Sequence, residues 1–501
     1  MRGIPSLITD IRKKVFTEVA RMAYSGEGYG AAEELPYIIV PGDQPLHRES
    51  VFLERAIASE RVRLAMGLNL RPIQTRHLMT EGMDHAAIAE QYYEPPLINI
   101  IPYACHACPT NQYRVTENCQ NCLAASCQKV CPRGAISFVN GKSCIDQEKC
   151  IKCGKCATAC PYNAIIHMER PCQAACGMDA IGSDEHGRAV INQDKCVSCG
   201  QCLVSCPFGA IADKGQIYQL IQSILKGDQV IAIVAPAFIG QFGKHSTPEK
   251  FISAMKVLGF DRVVEVAVGA DMCTIEEAKD FMEKVPAEQP FMATSCCPAW
   301  HSMVHKLFPA QSKNISMTLT PMVFTARLMK KKYPGCKVVF VGPCAAKKLE
   351  AIRADIRSDV DFVLTFEELQ GMFEAKDVNF ETIEPSETMN EGTAAGRGFA
   401  VSGGVAQAVT DLIHQTHPEL EVKTARAEGL RECRKLMTLA KVGKYNGYLL
   451  EGMACPGGCV AGAGTLLPVE LAAKVVGKYQ DEADRTSPLE SSYRDTGHNL
   501  D

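Results

Sequence analysis

No apolar stretch in the chain is long enough to cross a membrane. The longest, from Val230 to Gly240, is about a dozen residues and suits a buried parallel strand. The amino terminus, MRGIPSLITDIRKKVF, shows neither an apolar signal region nor a twin arginine, so a cytoplasmic location is expected. No long basic tract is present and the net charge is −4, which argues against nucleic acid as a partner. No G-x-G-x-x-G follows a strand-like run, so no nicotinamide or flavin site is expected. The first 98 residues contain no cysteine and no chemical motif; His77 and His85 read as solvated or capping histidines. What remains is a chain of 501 residues, ordinary in its 46% apolar and 22% charged content and too long for one core, so two to four domains are expected.

Cysteine is what the chain has in excess. Of 25 cysteines, 17 lie between Cys105 and Cys206 at short, regular spacings. In a long chain without a secretion signal this indicates metal ligation and not a disulfide framework. Thiolates are soft ligands that suit iron–sulfur clusters. Before this block, helical segments are expected over Leu7–Tyr24, Arg48–Ala65 and Ile73–Tyr92, broken by GEGYGAAEELP and by Pro41-Gly42. Within it, CPRGAI, CPYNAI, CGMDAI and CPFGAI are four copies of one turn, the mark of repeated supersecondary units. After about residue 213, the β-branched runs VIAIVAPAF, RVVEVAV, FMATS, KVVFVGP and DFVLTF alternate with helical stretches such as Thr274–Val285 and Thr320–Lys332. That alternation predicts parallel α/β architecture. The segment from 466 onward reads as a helix followed by a mobile polar tail. The expected divisions are therefore 1–98, 99–212, 213–465 and 466–501.

Cys150, Cys153, Cys156 and Cys160 follow C-x2-C-x2-C-x3-C-P, as do Cys196, Cys199, Cys202 and Cys206. This is the bacterial ferredoxin run, whose fourth cysteine ligates the other cluster of a pair. Cys119, Cys122, Cys127 and Cys131 form a looser copy. Pairing it with the next run gives Cys119, Cys122, Cys127 and Cys160 for one cluster, and Cys150, Cys153, Cys156 and Cys131 for another. Cys105, Cys108, Cys172 and Cys176 resemble a split motif of polyferredoxin electron-transfer subunits. That resemblance implies one cluster on Cys105, Cys108, Cys172 and Cys206, and one on Cys196, Cys199, Cys202 and Cys176. Cys144 is left over, and zinc or a redox pair is the competing reading for Cys105 and Cys108.

Three further motifs, TSCCPAW, VGPCAAKKLE and EGMACPGGCVAG, each follow a strand-like run. In a parallel sheet the carboxyl ends of strands meet in one crevice, so Cys297, Cys344, Cys455 and Cys459 can supply four thiolates to one cubane. Here residues 213–465 closely resemble the iron-only (FeFe) hydrogenases. The resemblance implies an α/β catalytic domain of two lobes, each a mostly parallel sheet flanked by helices. An N-terminal α+β ferredoxin-like iron–sulfur domain and a helical extension would precede it. It also implies an H-cluster: a 4Fe–4S cubane joined through Cys459 to a two-iron unit carrying CO, cyanide and azadithiolate. On that resemblance Lys347 hydrogen-bonds a cyanide, Met453 packs by the bridging CO, and Ala235 and Pro236 line the cyanide side. Cys296 would pass protons onward through Glu277, Ser316, Asp280 and Lys284. The capping-box pattern at Thr274 offers Glu277 a merely structural role.

The chain departs from the family at Ala299 (commonly Gly) and Gly342 (commonly Met). Ala237 and Met322 stand where polar residues are usual, and Asp280 and Lys284 where Glu and Arg are. The implied activity is reversible interconversion of dihydrogen with protons and electrons. Implied partners are a soluble ferredoxin or a redox subunit, and the maturases that build the two-iron unit. Competing readings are a cytosolic iron–sulfur assembly factor, a sensory hydrogenase and a plain polyferredoxin. The first generally lacks the thiol at Cys296 and the lysine at Lys347, the second carries a signalling domain, and the third has no need of residues 213–465.

Overall fold

The computed structural model describes residues 3–86, 93–496 and Leu500. Helix Leu7–Ser25 starts at Ser6, whose hydroxyl accepts from the Thr9 N–H, and stops at Gly26 in the left-handed conformation. Helix Val51–Ala65 is capped by Ser50. The helix expected over 73–92 does not form. Only Met83–Ala86 is helical, and residues 87–92 lie outside the described set. The backbone there is satisfied differently: the Arg63 guanidinium donates to the carbonyls of Asn69, Leu78, Met79 and Glu81.

The cysteine block is two ferredoxin-like units, one nested in a loop of the other. In the outer unit, strand Ile98–Ile100 pairs antiparallel with Ile211–Asp213, and Ile181–Ser183 with Ala189–Ile191. The inner unit repeats the plan, with Gln112–Val115 on Ile165–Met168 and Ile136–Val139 on Lys142–Ile145. The four repeated turns share one geometry: Gly134, Asn163, Asp179 and Gly209, each three residues past a cysteine, all have φ between 49° and 58°. A left-handed residue there lets the next amide turn back onto the thiol, and the N–H groups of Ala135, Ala164 and Ala180 donate to the sulfurs of Cys131, Cys160 and Cys176.

Beyond residue 213 two parallel sheets form. One has the order Arg262–Glu265, Val230–Val234, Lys337–Gly342, Phe362–Thr365; the other is Met292–Ala293, Tyr448–Met453, Lys423–Glu428. All of Val230–Val234 is buried, as a central parallel strand with helices on both faces must be. The edge strand Lys423–Glu428 was not foreseen: KTARAE is largely exposed and carries no apolar run. The N-terminal helix shares the core of the first sheet, with Val15, Phe16 and Val19 packed among Leu220, Phe366 and Leu369. At the junction, the buried Lys348 ammonium sits 2.7 Å from Asp213 and 2.9 Å from Glu368, while Arg12 bridges Asp213 and Glu367. The C-terminal tail, expected to be mobile, is packed where it is described. Ser491 and Leu500 are buried, and Arg327 donates to the Leu500 carbonyl, because Leu500 joins the apolar cluster around Met322 and Phe324.

Candidate functional site

The nested units gather the cysteines into groups. Cys105, Cys108, Cys172 and Cys206 wall one cavity with Ile100, Ala210 and Phe208. Cys176, Cys196 and Cys199 are electrostatic neighbours of Cys202. In the inner unit Cys150 and Cys153 neighbour Cys156, and Cys131 packs in the same small apolar cluster. Cys127 lies beside Ser143, whose N–H donates to the Cys119 sulfur. Cys122 is partly exposed on the same loop, and Cys144 is exposed on the hairpin strand. Among the described residues no three His, Cys, Asp or Glu side chains converge as tightly as a single metal ion needs. A cubane does not need that convergence, since it takes one thiolate per iron.

The groups of the outer unit are contiguous with each other and with the cysteines beyond residue 213. Cys172 neighbours Cys202, and Cys297 neighbours Cys199. Cys176 packs in two adjoining apolar clusters, of which the second also holds Cys297 and Cys344. Gln201, inside the last cysteine run, donates from Nε2 to the Cys455 sulfur at 3.2 Å. Gly200 is required there, because a Cβ would come within 2.3 Å of Ala463.

Beyond Gln201, three loops leave the carboxyl ends of parallel strands: Thr294–Cys297 after Met292–Ala293, Pro343–Cys344 after Lys337–Gly342, and Ala454–Cys459 after Tyr448–Met453. Burial raises the Cys344 thiol to about 11 and the Cys459 thiol to about 12, with neighbouring thiols adding to both. Such a donor set resists ionising alone and fits a polynuclear cation that supplies the charge. Ala235 follows Val230–Val234 and donates its N–H to the Val341 carbonyl at 2.9 Å, and Pro236 opens the short helical turn after it. Ala235, Met322 and Met453 form one apolar cluster against Cys296 and Cys297.

Comparison with known proteins finds iron–sulfur families over both regions. Residues 228–463 match the family described as "Iron only hydrogenase large subunit, C-terminal domain". Residues 145–165 match a 4Fe-4S binding domain and 166–217 the LdpA Fe-S cluster-binding domain. Iron hydrogenase 1 of Clostridium pasteurianum is 29% identical, over 74% of this chain and 73% of that protein. These findings support a divergent FeFe-hydrogenase-like protein, with the likeness to that family lying over residues 228–463. The periplasmic Fe hydrogenase large subunit of Nitratidesulfovibrio vulgaris is 28% identical over 44% of this chain and 62% of its own length. A probable cytosolic Fe-S cluster assembly factor of Aedes aegypti is also 28% identical, over 50% of this chain and 62% of its own. Among solved structures, the apo FeFe-hydrogenase HydA1 of Chlamydomonas reinhardtii aligns over 54% of this chain and 89% of that one, at 21% identity and a TM-score of 0.44.

In this hydrogenase-like protein the groups expected to handle protons lie close together. Glu277 is fully buried, and burial raises its carboxyl to about 7. The Ser295 N–H and hydroxyl donate to its Oε1 at 3.2 and 3.4 Å, Ser316 is a further polar neighbour, and Oε2 has no hydrogen-bond partner among the described residues. Burial, then Glu277, pushes the Cys296 thiol well above its ordinary value, so it carries its proton at neutral pH. Asp280 lies one turn further along the helix, 2.9 Å from Lys284. The capping-box reading of Glu277 is wrong: the helix begins at Ala267, and Thr274 lies within it, donating to the Ala270 carbonyl.

The Lys347 ammonium is buried 2.6 Å from Glu350 and donates to the Thr320 hydroxyl at 3.2 Å. Burial opposes that charge, but Glu350 and the thiols of Cys344 and Cys296 hold it above its ordinary value. Ser295, Thr320 and Glu350 escaped the sequence reading. Ser295 adjoins Cys296 and Glu350 falls three residues after Lys347, so spacing could have found both. Thr320 is joined to them only by the fold. The departures are also placed. A Cβ on Gly342 would meet the Phe340 ring at 2.5 Å, while Ala299, Ala237 and Met322 are buried and bring no polar atom.

Proposed function

We propose that the chain catalyses the reversible interconversion of dihydrogen with protons and electrons, with Cys297, Cys344, Cys455 and Cys459 holding the cubane of an H-cluster. The observation that carries this reading is the placing of half-buried Cys296 between fully buried Glu277, which the adjoining Ser295 N–H holds, and the thiols of Cys297 and Cys459. When bound, the H-cluster supplies the redox-active irons at which dihydrogen is made or split.

The protein's own contribution is proton handling and orientation. Cys296 holds a proton on Sγ against the crevice. Glu277 Oε2, the unpartnered oxygen, is free to take it, with Ser316 as the next hydroxyl and Asp280 and Lys284 leading to the surface. Lys347, anchored by Glu350 and Thr320, offers a compact cation to an anionic ligand. Met322, Met453 and Ala235 keep that side dry. Electrons would pass through four 4Fe–4S clusters on the four cysteine groups, the last beside Cys455. The external partner is a soluble ferredoxin or a redox subunit. A cytoplasmic location accords with 25 cysteines that form no disulfide.

An iron–sulfur assembly factor would use the same four thiols, but would have no use for Cys296, Lys347 or a row of cluster sites. The test is hydrogen evolution from reduced methyl viologen after treatment with maturases, alongside infrared detection of CO and cyanide bands. Cys296→Ser should lose about 10²–10⁴-fold in rate while keeping the bands. Unchanged activity would overturn the relay, and matured protein without the bands would overturn the hydrogenase reading. A full set of clusters predicts about 22 iron per chain.

A further inference from the structure

Four arginines are buried among the described residues: Arg61, Arg63, Arg170 and Arg397. Arg397 is paired with Glu265 at 2.8 Å, and Arg63 has Glu60, Glu81 and Glu33 as electrostatic neighbours. The other two are different. Arg170 donates to the carbonyls of Cys108, Gly182 and Gly187, at 2.6 to 3.3 Å. Arg61 donates to the carbonyl of Gly209 at 2.9 Å, and its cationic neighbours Arg12 and Arg48 only add repulsion. Neither forms an ion pair with a carboxylate among the described residues. Such a buried charge is tolerated only when an anion offsets it.

Both point to the same place. Arg170 lines the cavity walled by Cys105, Cys108, Cys172 and Cys206. Cys206 is the one negative neighbour of Arg61. Among the described residues the other accessory groups have no buried arginine beside them. Lys306, beside Cys196, is bound to the carbonyls of Asp194 and Cys196 in an exposed position, and Lys152 and Lys155 beside Cys153 face water, where screening weakens them. Four thiolates on a cubane leave it net negative, more so when reduced. A buried cation therefore favours the reduced form.

We infer that Arg61 and Arg170 are the counter-charges of a cluster at Cys105, Cys108, Cys172 and Cys206, and make it the most oxidising station of the accessory relay. This rests on the proposed cluster ligation but not on hydrogen catalysis. Its place, beside the Cys202 group that adjoins Cys297, puts an electron reservoir two steps from the catalytic crevice.

The test is a redox titration followed by EPR on the iron-loaded full chain, with the couple identified by its loss or change in Cys108→Ser. Arg61→Met and Arg170→Met should each move that couple, and no other, to more negative potential. Arg61→Lys and Arg170→Lys, which keep the charge, should restore most of the shift. If a Met variant fails to hold the cluster, its iron should fall by one cubane while the Lys variant keeps it, which supports the same assignment. Equal effects of Met and Lys, or no shift with iron retained, would overturn it. Clusters present without hydrogen evolution would defeat the catalytic proposal and leave this inference standing. No couple altered by Cys108→Ser would defeat the ligation it rests on.

Discussion

Within the inner ferredoxin-like unit, Cys127 and Cys156 are themselves part of a small core, packed with Ile136, Ile145 and Ile165 and with partly buried side chains such as Tyr113 and Phe138. In the catalytic region, Cys297, Cys344 and Cys459 stand on two parallel sheets whose strands are already packed by Phe, Leu, Val and Met side chains. One region is held together by what its cysteines bind, and the other prepares a crevice in advance. So small a core rarely stabilises a fold unaided, whereas the sheets beyond residue 230 have a core of ordinary size.

The comparison can be broken most directly by removing iron. Hydrogen exchange read by mass spectrometry should show residues 109–170 losing protection almost completely in the iron-free protein, while strands Val230–Val234 and Lys337–Gly342 keep theirs. Uniform loss would erase the distinction.

The outer ferredoxin-like unit joins the catalytic region at Lys348, Asp213 and Glu368, so Lys348→Met tests whether that junction depends on charge. Leaving buried Glu368 uncompensated, and Asp213 with Arg12 alone, should cost about 3–5 kcal/mol in denaturant unfolding, and a cost below about 1 kcal/mol would assign the junction to apolar packing alone.

Glu277→Gln probes what preparing the crevice costs. Between the ordinary carboxylate range and about 7, native Glu277 keeps a proton that the unfolded chain has released. Stability contributed at this site therefore falls as pH rises through that window, by about 3 kcal/mol in all. The Gln variant should lack that decline, and a stability–pH profile parallel to that of the unmodified chain would place the Glu277 pKa near its ordinary value.

The smallest effect belongs to the surface end of the relay. Lys284→Ala removes a half-exposed pair with Asp280 and should change stability by about 1 kcal/mol or less. A larger loss in a thermal scan would mean that the pair organises the helix.

Much of the site was legible because cysteine spacing is set by covalent chemistry. C-x2-C-x2-C-x3-C-P dictates its own turn, and the left-handed residues at Lys152, Ser198 and Asn163 follow from it. The helix over 73–92 was misread because periodicity cannot register a guanidinium, Arg63, that takes over the backbone acceptors of the following loop. The edge strand Lys423–Glu428 stayed hidden because only a neighbouring strand makes KTARAE extended.

The sequence by itself determined the donor set, the α/β alternation and the resemblance to FeFe hydrogenases, since these depend on residue type and short-range spacing. Only the tertiary structure decided that one ferredoxin-like unit is nested in another, and that Gln201 reaches Cys455. It alone shows that Ser295 reaches Glu277 and Thr320 reaches Lys347, and that Arg61 and Arg170 are buried without an ion-paired carboxylate among the described residues. Each of these is a relation between residues far apart in the chain, and burial and electrostatics act through space, with no local pattern to announce them.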